Sequence, residues 1–205
     1  MGKTVDNVNQ KRSIDKKEKI LQVAYELFKY KGYFNTNITE IAKEAGLSTS
    51  YVHSNYNDKK DILMECLSKV DREIADKICD KISGISDITD IFSLAKKVVK
   101  IIIELHSGEK IYHYDVMSLQ HNDEDFKNYF KDVENKMMTA ISTQLKKFGL
   151  AFTHESEQTF LLFSLIRGIE DELYFNLNPN INKEVLIDEC ARIITSMITK
   201  EKNLY

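Results

Sequence analysis

The sequence predicts an all-α protein. Gly32, Gly46, Gly84, Gly108 and Gly149 stand where runs of helical periodicity stop. The single proline, Pro179, falls in a loop-like stretch. No run alternates apolar and polar residues well enough to be a strand.

The elements follow in order. Residues 1–13 read as a flexible basic arm. Lys3, Lys11, Arg12, Lys16, Lys17 and Lys19 lie in it or run on into the first helix. Such an arm either follows a phosphate backbone or enters a minor groove, or is a solubilising tail, and composition alone leaves these even. The first helix carries Ile20, Val23, Ala24, Leu27 and Phe28 on one face and ends at Lys31-Gly32.

Residues 37–59 read as two short helices across a tight turn. Ile38, Ile41, Ala42 and Ala45 follow i, i+3, i+4, i+7, which makes one face of the first apolar. Asn37 caps it, with Glu40 placed to reach back. Gly46 ends it in the left-handed conformation a sharp turn needs. Ser48 caps the second helix, whose apolar anchors are Val52 and Tyr56. The positions around those anchors (Thr49, Ser50, Tyr51, His53, Ser54, Asn55) carry hydrogen-bonding side chains. Such a helix suits a DNA major groove. By spacing alone, a polar solvated helix in an ordinary hairpin fits as well.

The surrounding residues separate the two readings. The chain carries Ile20-Leu21-x-Val23-Ala24-x-x-Leu27-Phe28-x-x-x-Gly32-Tyr33, then Thr36-Asn37-Ile38-x-Glu40-Ile41-Ala42-x-x-Ala45-Gly46-Leu47-Ser48. It continues through Tyr51-Val52-x-x-x-Tyr56-x-x-Lys59-x-x-Ile62-Leu63. Over about residues 14–65 this resembles the DNA-binding domain of the tetracycline-repressor (TetR) family. The resemblance implies a three-helix helix-turn-helix DNA-binding domain over 14–59. It also implies a helical ligand-binding and dimerisation domain over 60–205. His53, Ser54, Asn55 and Asn57 depart from the usual pattern. The DNA-contacting residues it implies are Thr36, Asn37, Thr39, Thr49, Ser50, Tyr51, His53, Ser54, Asn55 and Lys59, with Thr36, Thr39 and Lys59 near phosphates.

In the body, residues 60–83 form an amphipathic helix from Ile62 to Ile78. Asp87 caps the next, about 88–107. A shorter helix spans 109–121, and a break at His121-Asn122-Asp123 precedes a long helix to Phe148. Two helices, about 154–177 and 183–201, close the chain. Leu162, Ile166, Ile169, Leu173 and Leu177 make one apolar stripe, and Phe160, Phe163 and Tyr174 contribute to another. A helix apolar on more than one side must bury more than one side. The resemblance makes this last pair the seam of a homodimer. The seam residues are Leu162, Ile166, Gly168, Ile169, Leu173, Ile193, Ile194 and Met197, with Gly168 allowing close backbone approach.

The net charge of −3 argues against nucleic acid, but its distribution reverses that. Residues 1–60 hold 11 Lys/Arg against 7 Asp/Glu, and residues 61–205 hold 18 against 25. A basic head on an acidic body is the footprint of DNA at one end. Cys66, Cys79 and Cys190 form no CxxC pair and read as reduced core residues of a cytoplasmic protein. No apolar run is long enough for a bilayer, so no membrane partner is expected.

The body exceeds what a DNA-binding head requires. In the family it holds a small-molecule cavity. The expected lining is His106, Tyr112, His113, Tyr114, Met117, His121, Phe126, Phe163, Arg167, Glu170 and Tyr174. Such a set favours an unknown small hydrophobic effector. Each of Arg167 and Glu170 taken singly reads better as an ion pair than as a ligand contact. His106, His113 and His121 sit 7 and 8 apart, but Ser107-Gly108 interrupts, so no metal and no cofactor is expected. The chain carries no nucleophile–base pair, phosphate loop or HExxH motif, so it is not read as an enzyme. Two functions stand. One is a homodimeric repressor released from its double-stranded DNA operator by a small hydrophobic ligand. The other is a DNA-binding regulator or architectural factor controlled by a protein partner, without an effector.

Overall fold

The structure, a computed structural model, describes residues 3–83, 91–105, 110–175 and 178–200. Its helices are α1 (Lys3–Lys31), α2 (Ile38–Glu44), α3 (Thr49–His53), α4 (Lys59–Ser83), α5 (Ile91–Leu105), α6 (Lys110–Asn122), α7 (Glu124–Lys147), α8 (Glu155–Phe175) and α9 (Lys183–Met197). Two three-residue strands, β1 (Leu150–Phe152) and β2 (Ile198–Lys200), complete the described chain.

Local chemistry sets the helix ends. The Asn37 side chain accepts from the Glu40 N–H at 2.9 Å, and Ser48 Oγ accepts from the Tyr51 N–H at 3.1 Å. The Asp58 carboxylate takes the Asp61 N–H at 3.0 Å in the first turn of α4. Asp123 Oδ1 takes the N–H groups of Asp125 and Phe126 at the start of α7. Gly32 and Gly46 adopt φ of 86° and 66°, the left-handed region the two turns need. Glu40 does not reach back to its cap. Its carboxylate pairs with Lys31 Nζ at 2.6 Å.

The chain divides into two compact units. The first comprises Met1–Asp71 and Gly108–Lys127. Its core is Ile20, Ala24, Phe28, Ile41, Ala42, Val52, Ile62, Leu63 and Phe126, all fully enclosed. Burying each large aliphatic or aromatic side chain contributes about 1.5–3 kcal/mol. Helix α6 packs on α1, with the Tyr25 and Tyr112 rings edge to face at 5.6 Å. The Tyr33 N–H donates to Asp115 Oδ2 at 2.6 Å, and Lys60 donates to both Asp123 carboxylate oxygens at 2.8 Å.

The second unit comprises Arg72–Ser107 and Asn128–Tyr205. Helices α5 and α9 pack along each other. Val99, Ile103, Ile187, Cys190, Ala191 and Ile194 are enclosed, and Lys100 pairs with Glu184 at 2.8 Å. Helix α8 adds Leu162, Ile166 and Ile169 to this core.

Three expectations change here. The final helix stops at Met197. Gly149, at φ 65°, turns the chain after α7 so that β1 pairs antiparallel with β2, Phe152 opposite Ile198. Ile198 and Thr199 are β-branched and fit an extended pair better than a last helical turn. The unit boundaries also differ from a simple division at residue 60: α6 and the first turn of α7 group with the head, and the start of α1, expected as an arm, is helical from Lys3. Asp87, Gly84 and Gly108 lie outside the described residues.

Candidate nucleic-acid interface and effector cavity

Helix α3 is held by its apolar side. Val52 is fully buried and Tyr56, just beyond its end, is 4% exposed, as the spacing predicts. Ser50, His53 and Ser54 are exposed, and Thr49, Tyr51 and Asn55 are half-buried. Asn37 and Thr39 are exposed at the start of α2. The basic side of α1 meets this surface. Lys16 Nζ lies 4.9 Å from the Tyr51 ring centroid, and Lys17 Nζ lies 5.9 Å from that of Tyr56. The sequence showed these lysines as an undirected cluster; their cation–π contacts need the tertiary fold.

Several expected contacts are committed elsewhere. Thr36 is 2% exposed and its hydroxyl donates to the Gly32 carbonyl at 2.8 Å, so it is a turn residue and not a phosphate ligand. Lys59 Nζ donates to the carbonyls of Tyr33 at 2.6 Å and Thr36 at 2.8 Å, and sits 4.2 Å from the Tyr33 ring centroid. Burial holds its ammonium below the ordinary lysine range, with Asp115 opposing. Lys59 therefore ties the turn after α1 to α4. Asn55 Nδ2 donates to the Tyr51 carbonyl at 2.8 Å, and the Ser54 hydroxyl donates to the same carbonyl at 2.8 Å. Both close the end of α3, leaving Ser50 and His53 as the exposed side chains on its helical turns with no bond to the protein among the described residues.

Lys59→Met should leave two backbone carbonyls without their donor. The expected cost is about 1–3 kcal/mol, and a chain of this size loses about 2–4 °C of Tm per kcal/mol. The salt dependence of DNA binding should not change. A flatter salt slope with an unaltered melting curve would return Lys59 to the phosphate contacts.

The expected cavity lining is not where the cavity lies. Tyr112, His113, Tyr114, Met117, His121 and Phe126 all belong to the first unit. Phe126 is fully buried there, Tyr114 is 54% exposed, and the His121 ring meets the Met117 carbonyl. Arg167 is paired with Glu134 of α7, and Phe163 is half-buried. His106 and the side chains of Glu170 and Tyr174 lie outside the described residues. The helical periods of α6 and α7 were legible, but which unit each would join was not.

A cavity of about 60 Å³ opens in the second unit instead. Helix α5 supplies Ile91, Leu94, Ala95 and Val98, and α7 supplies Ile141, Gln144 and Leu145. Leu162 and Ile166 of α8, Ile194 of α9, Phe148, and the paired strand residues Phe152 and Ile198 complete it. Leu162, Ile166, Ile169 and Ile194 are therefore interior residues of one chain, and the seam assigned to them is corrected. Leu162 and Ile166 share the cavity with residues of α5 and α7, Ile169 is buried beside them on α8, and a side chain buried in its own chain presents no surface to a second. On α8 and α9 the exposed apolar residues are Phe160, Leu161, Val185 and Ile193. Leu173 and Met197 are half-buried. A Cβ on Gly168 would meet nothing within 4 Å, so no contact within the chain demands glycine there. Cys66 and Cys190 are buried and reduced, and burial pushes their thiols up to about 12 and about 11. Among the described residues no cluster of metal-ligating side chains occurs, and no helix is long and apolar enough to cross a membrane.

Residues 20–66, α1 from its first core residue to Cys66 in α4, match the profile of the family described as bacterial regulatory proteins, tetR family. The head carries the segment that defines the TetR family. The matched segment carries both caps, both turns and every enclosed core residue of the head except Phe126. A 72-residue stretch is 33% identical to the HTH-type transcriptional regulator HbdR of Aromatoleum sp. (strain CIB), covering 35% of this chain and 31% of that protein. The match thus spans about a third of that relative's length. The fold is similar over most of the chain to a putative TetR-family transcriptional regulator from Mesorhizobium loti MAFF303099, with TM-score 0.74 at 19% identity, covering 91% of this chain and 98% of that one. It is also similar to a putative transcriptional regulator from Saccharomonospora viridis in complex with choline, with TM-score 0.66 at 21% identity, covering 89% and 96%. The head is thus a helix-turn-helix of the type found in this family's DNA-binding domains, and the all-α fold is shared with the two solved structures.

Proposed function

We propose that this TetR-family regulator is a homodimeric repressor whose grip on its operator is released by a small apolar effector in the α5–α7–α8–α9 cavity. The cavity carries the reading. Its wall is aliphatic and aromatic, in a unit distinct from the one that bears α3. Apolar walls with few polar groups are the usual make-up of small-molecule sites. The exposed Phe160, Leu161, Val185 and Ile193 of α8 and α9 support pairing with a second copy, which would take these large apolar side chains out of water. The likeness to a regulator holding choline supports a small-molecule effector as a class. Release requires that the effector bind one conformation of the dimer better than the other, and a coupling of about 1–3 kcal/mol would change operator affinity about 5- to 150-fold.

The test fills the cavity. Val98→Phe, a half-buried lining position, should abolish the response of DNA binding to apolar compounds while leaving unliganded affinity within about threefold, a change under 1 kcal/mol. The alternative, control by a protein partner, draws on the modest cavity volume. It predicts that no compound shifts DNA binding in wild type or variant.

A further inference from the structure

Resting on the reading of α3 as the DNA-facing helix, we infer that the part of α1 before the core stays helical on DNA and lays Arg12, Lys16 and Lys19 along the phosphate backbone. The ligand of this cationic stripe is the sugar–phosphate strand bordering the half-site that α3 reads. In the sequence Lys11, Arg12, Lys16, Lys17 and Lys19 form one undirected cluster. The helix sorts them. Arg12, Lys16 and Lys19 stand at i, i+4 and i+7, and at 3.6 residues per turn they fall within an arc of about 60°. All three are exposed, and none is ion-paired with a described residue. Lys17 turns inward instead, half-buried and near the Tyr56 ring. Lys11, Asp15 and Glu18 fall outside the arc. The stripe also has a direction. Lys16 Nζ lies against the Tyr51 ring of α3, and Lys19 Nζ lies 3.7 Å from where a Cβ on Gly46 would stand, in the turn that leads to α3. Arg12 lies about 10 Å further out along the helix axis than Lys19.

Shape selects the backbone over a groove. A helix with its side chains is about 10–12 Å across, and the minor groove of B-DNA is about 6 Å wide. A helical segment does not fit there, and in this reading α3 already occupies the major groove. What remains is the ridge of phosphates, which carries one charge per about 1.7 Å of duplex axis. Helicity before Ile20 also has a physical basis. The head core fixes α1 from Ile20 onward, so each earlier residue adds a hydrogen bond to an existing helix without a new nucleation cost. A stripe formed in advance meets the strand without the ordering cost that a flexible arm carries.

The experiment measures binding of the full-length protein to two duplexes of equal length across a series of salt concentrations. One duplex carries the site enriched from random sequence, and the other is unrelated. Arg12→Gln with Lys19→Gln is expected to flatten the slope of log K against log salt by about 1.8 on both, about 0.9 per lost phosphate contact. The ratio of affinities between the two duplexes should stay as in wild type, and the hydroxyl-radical footprint should lose backbone protection just outside the half-site. Asp15→Pro breaks the helix between Arg12 and Lys16, while Asp15→Ala removes the same carboxylate and keeps the helix. The proline variant should have a slope about 0.9 flatter than the alanine variant, because Arg12 leaves the line of the stripe. Residue 15 precedes the first core residue, so both variants should melt as wild type does. An unchanged slope in the double Gln variant overturns the stripe. Equal slopes for the proline and alanine variants overturn the helical form and return the segment to a flexible arm. A changed ratio between the duplexes overturns the backbone assignment in favour of base contacts. If wild type binds neither duplex, the reading of α3 fails first and this inference with it.

Discussion

Glu introduced at both Phe160 and Ile193 is expected to leave a folded monomer that has lost at least two orders of magnitude of operator affinity. Within one chain these side chains are 70% and 43% exposed, so a carboxylate at either position stays hydrated and costs the fold little. In a two-fold dimer built on α8 and α9 the same positions meet the partner. Each new carboxylate would then be desolvated without a cation, at several kcal/mol per ion. Four such charges across the symmetric seam exceed what an interface of ordinary size can absorb. A monomer holds one half-site, and the affinity gained from linking two heads disappears with the dimer. Light scattering reads the mass and fluorescence anisotropy reads the DNA affinity. Ile166→Asp is the contrast. Ile166 is 6% exposed in the cavity wall, so it should lose stability before it loses association. A double-Glu variant that remains dimeric with full affinity would move the seam elsewhere.

The second large effect lies on α3. His53→Ala with Ser50→Ala should lower discrimination among operator variants while leaving the salt slope as it was. The imidazole and hydroxyl are exposed and unengaged, and a well-placed side-chain contact to a base edge is worth about 1–3 kcal/mol against the wrong base. That corresponds to about 5- to 150-fold. Lys16→Ala should do the reverse. Its ammonium lies against the Tyr51 ring at the edge of the same surface, so its loss should weaken all sequences alike and reduce the salt slope by about one. Competition among operators carrying single base changes separates the two. Unchanged discrimination in the double variant would remove α3 from base reading.

Much of the head was legible because its signals are local. Asn37 and Ser48 cap within three residues of themselves, and Gly32 and Gly46 stop helices by their own backbone freedom. Val52 and Tyr56 announce their burial by spacing alone. Thr36 and Lys59 were misread because nothing nearby in sequence shows that the Gly32, Tyr33 and Thr36 carbonyls need donors. The body was legible as helices but not as neighbours. Tyr112 and Phe126 look like pocket aromatics until α6 is seen to pack on α1. Leu162 and Ile166 form a stripe that fits a partner as well as it fits α5. The cavity wall of Ile, Leu, Val and Phe carries no mark in the sequence, because a core and a cavity use the same residues. The strands escaped notice because three residues are too few to show alternation.

The central claim is that two copies of this head act together on one stretch of DNA. Selection from random-sequence duplexes by the purified protein, followed by footprinting and mass measurement of the complex on the enriched site, tests it most directly. The account predicts an inverted repeat with half-sites read in major grooves about 34–36 Å apart or somewhat more, carrying two chains or a multiple of two. An enriched site without two-fold symmetry, occupied by a single chain at full affinity, would contradict it.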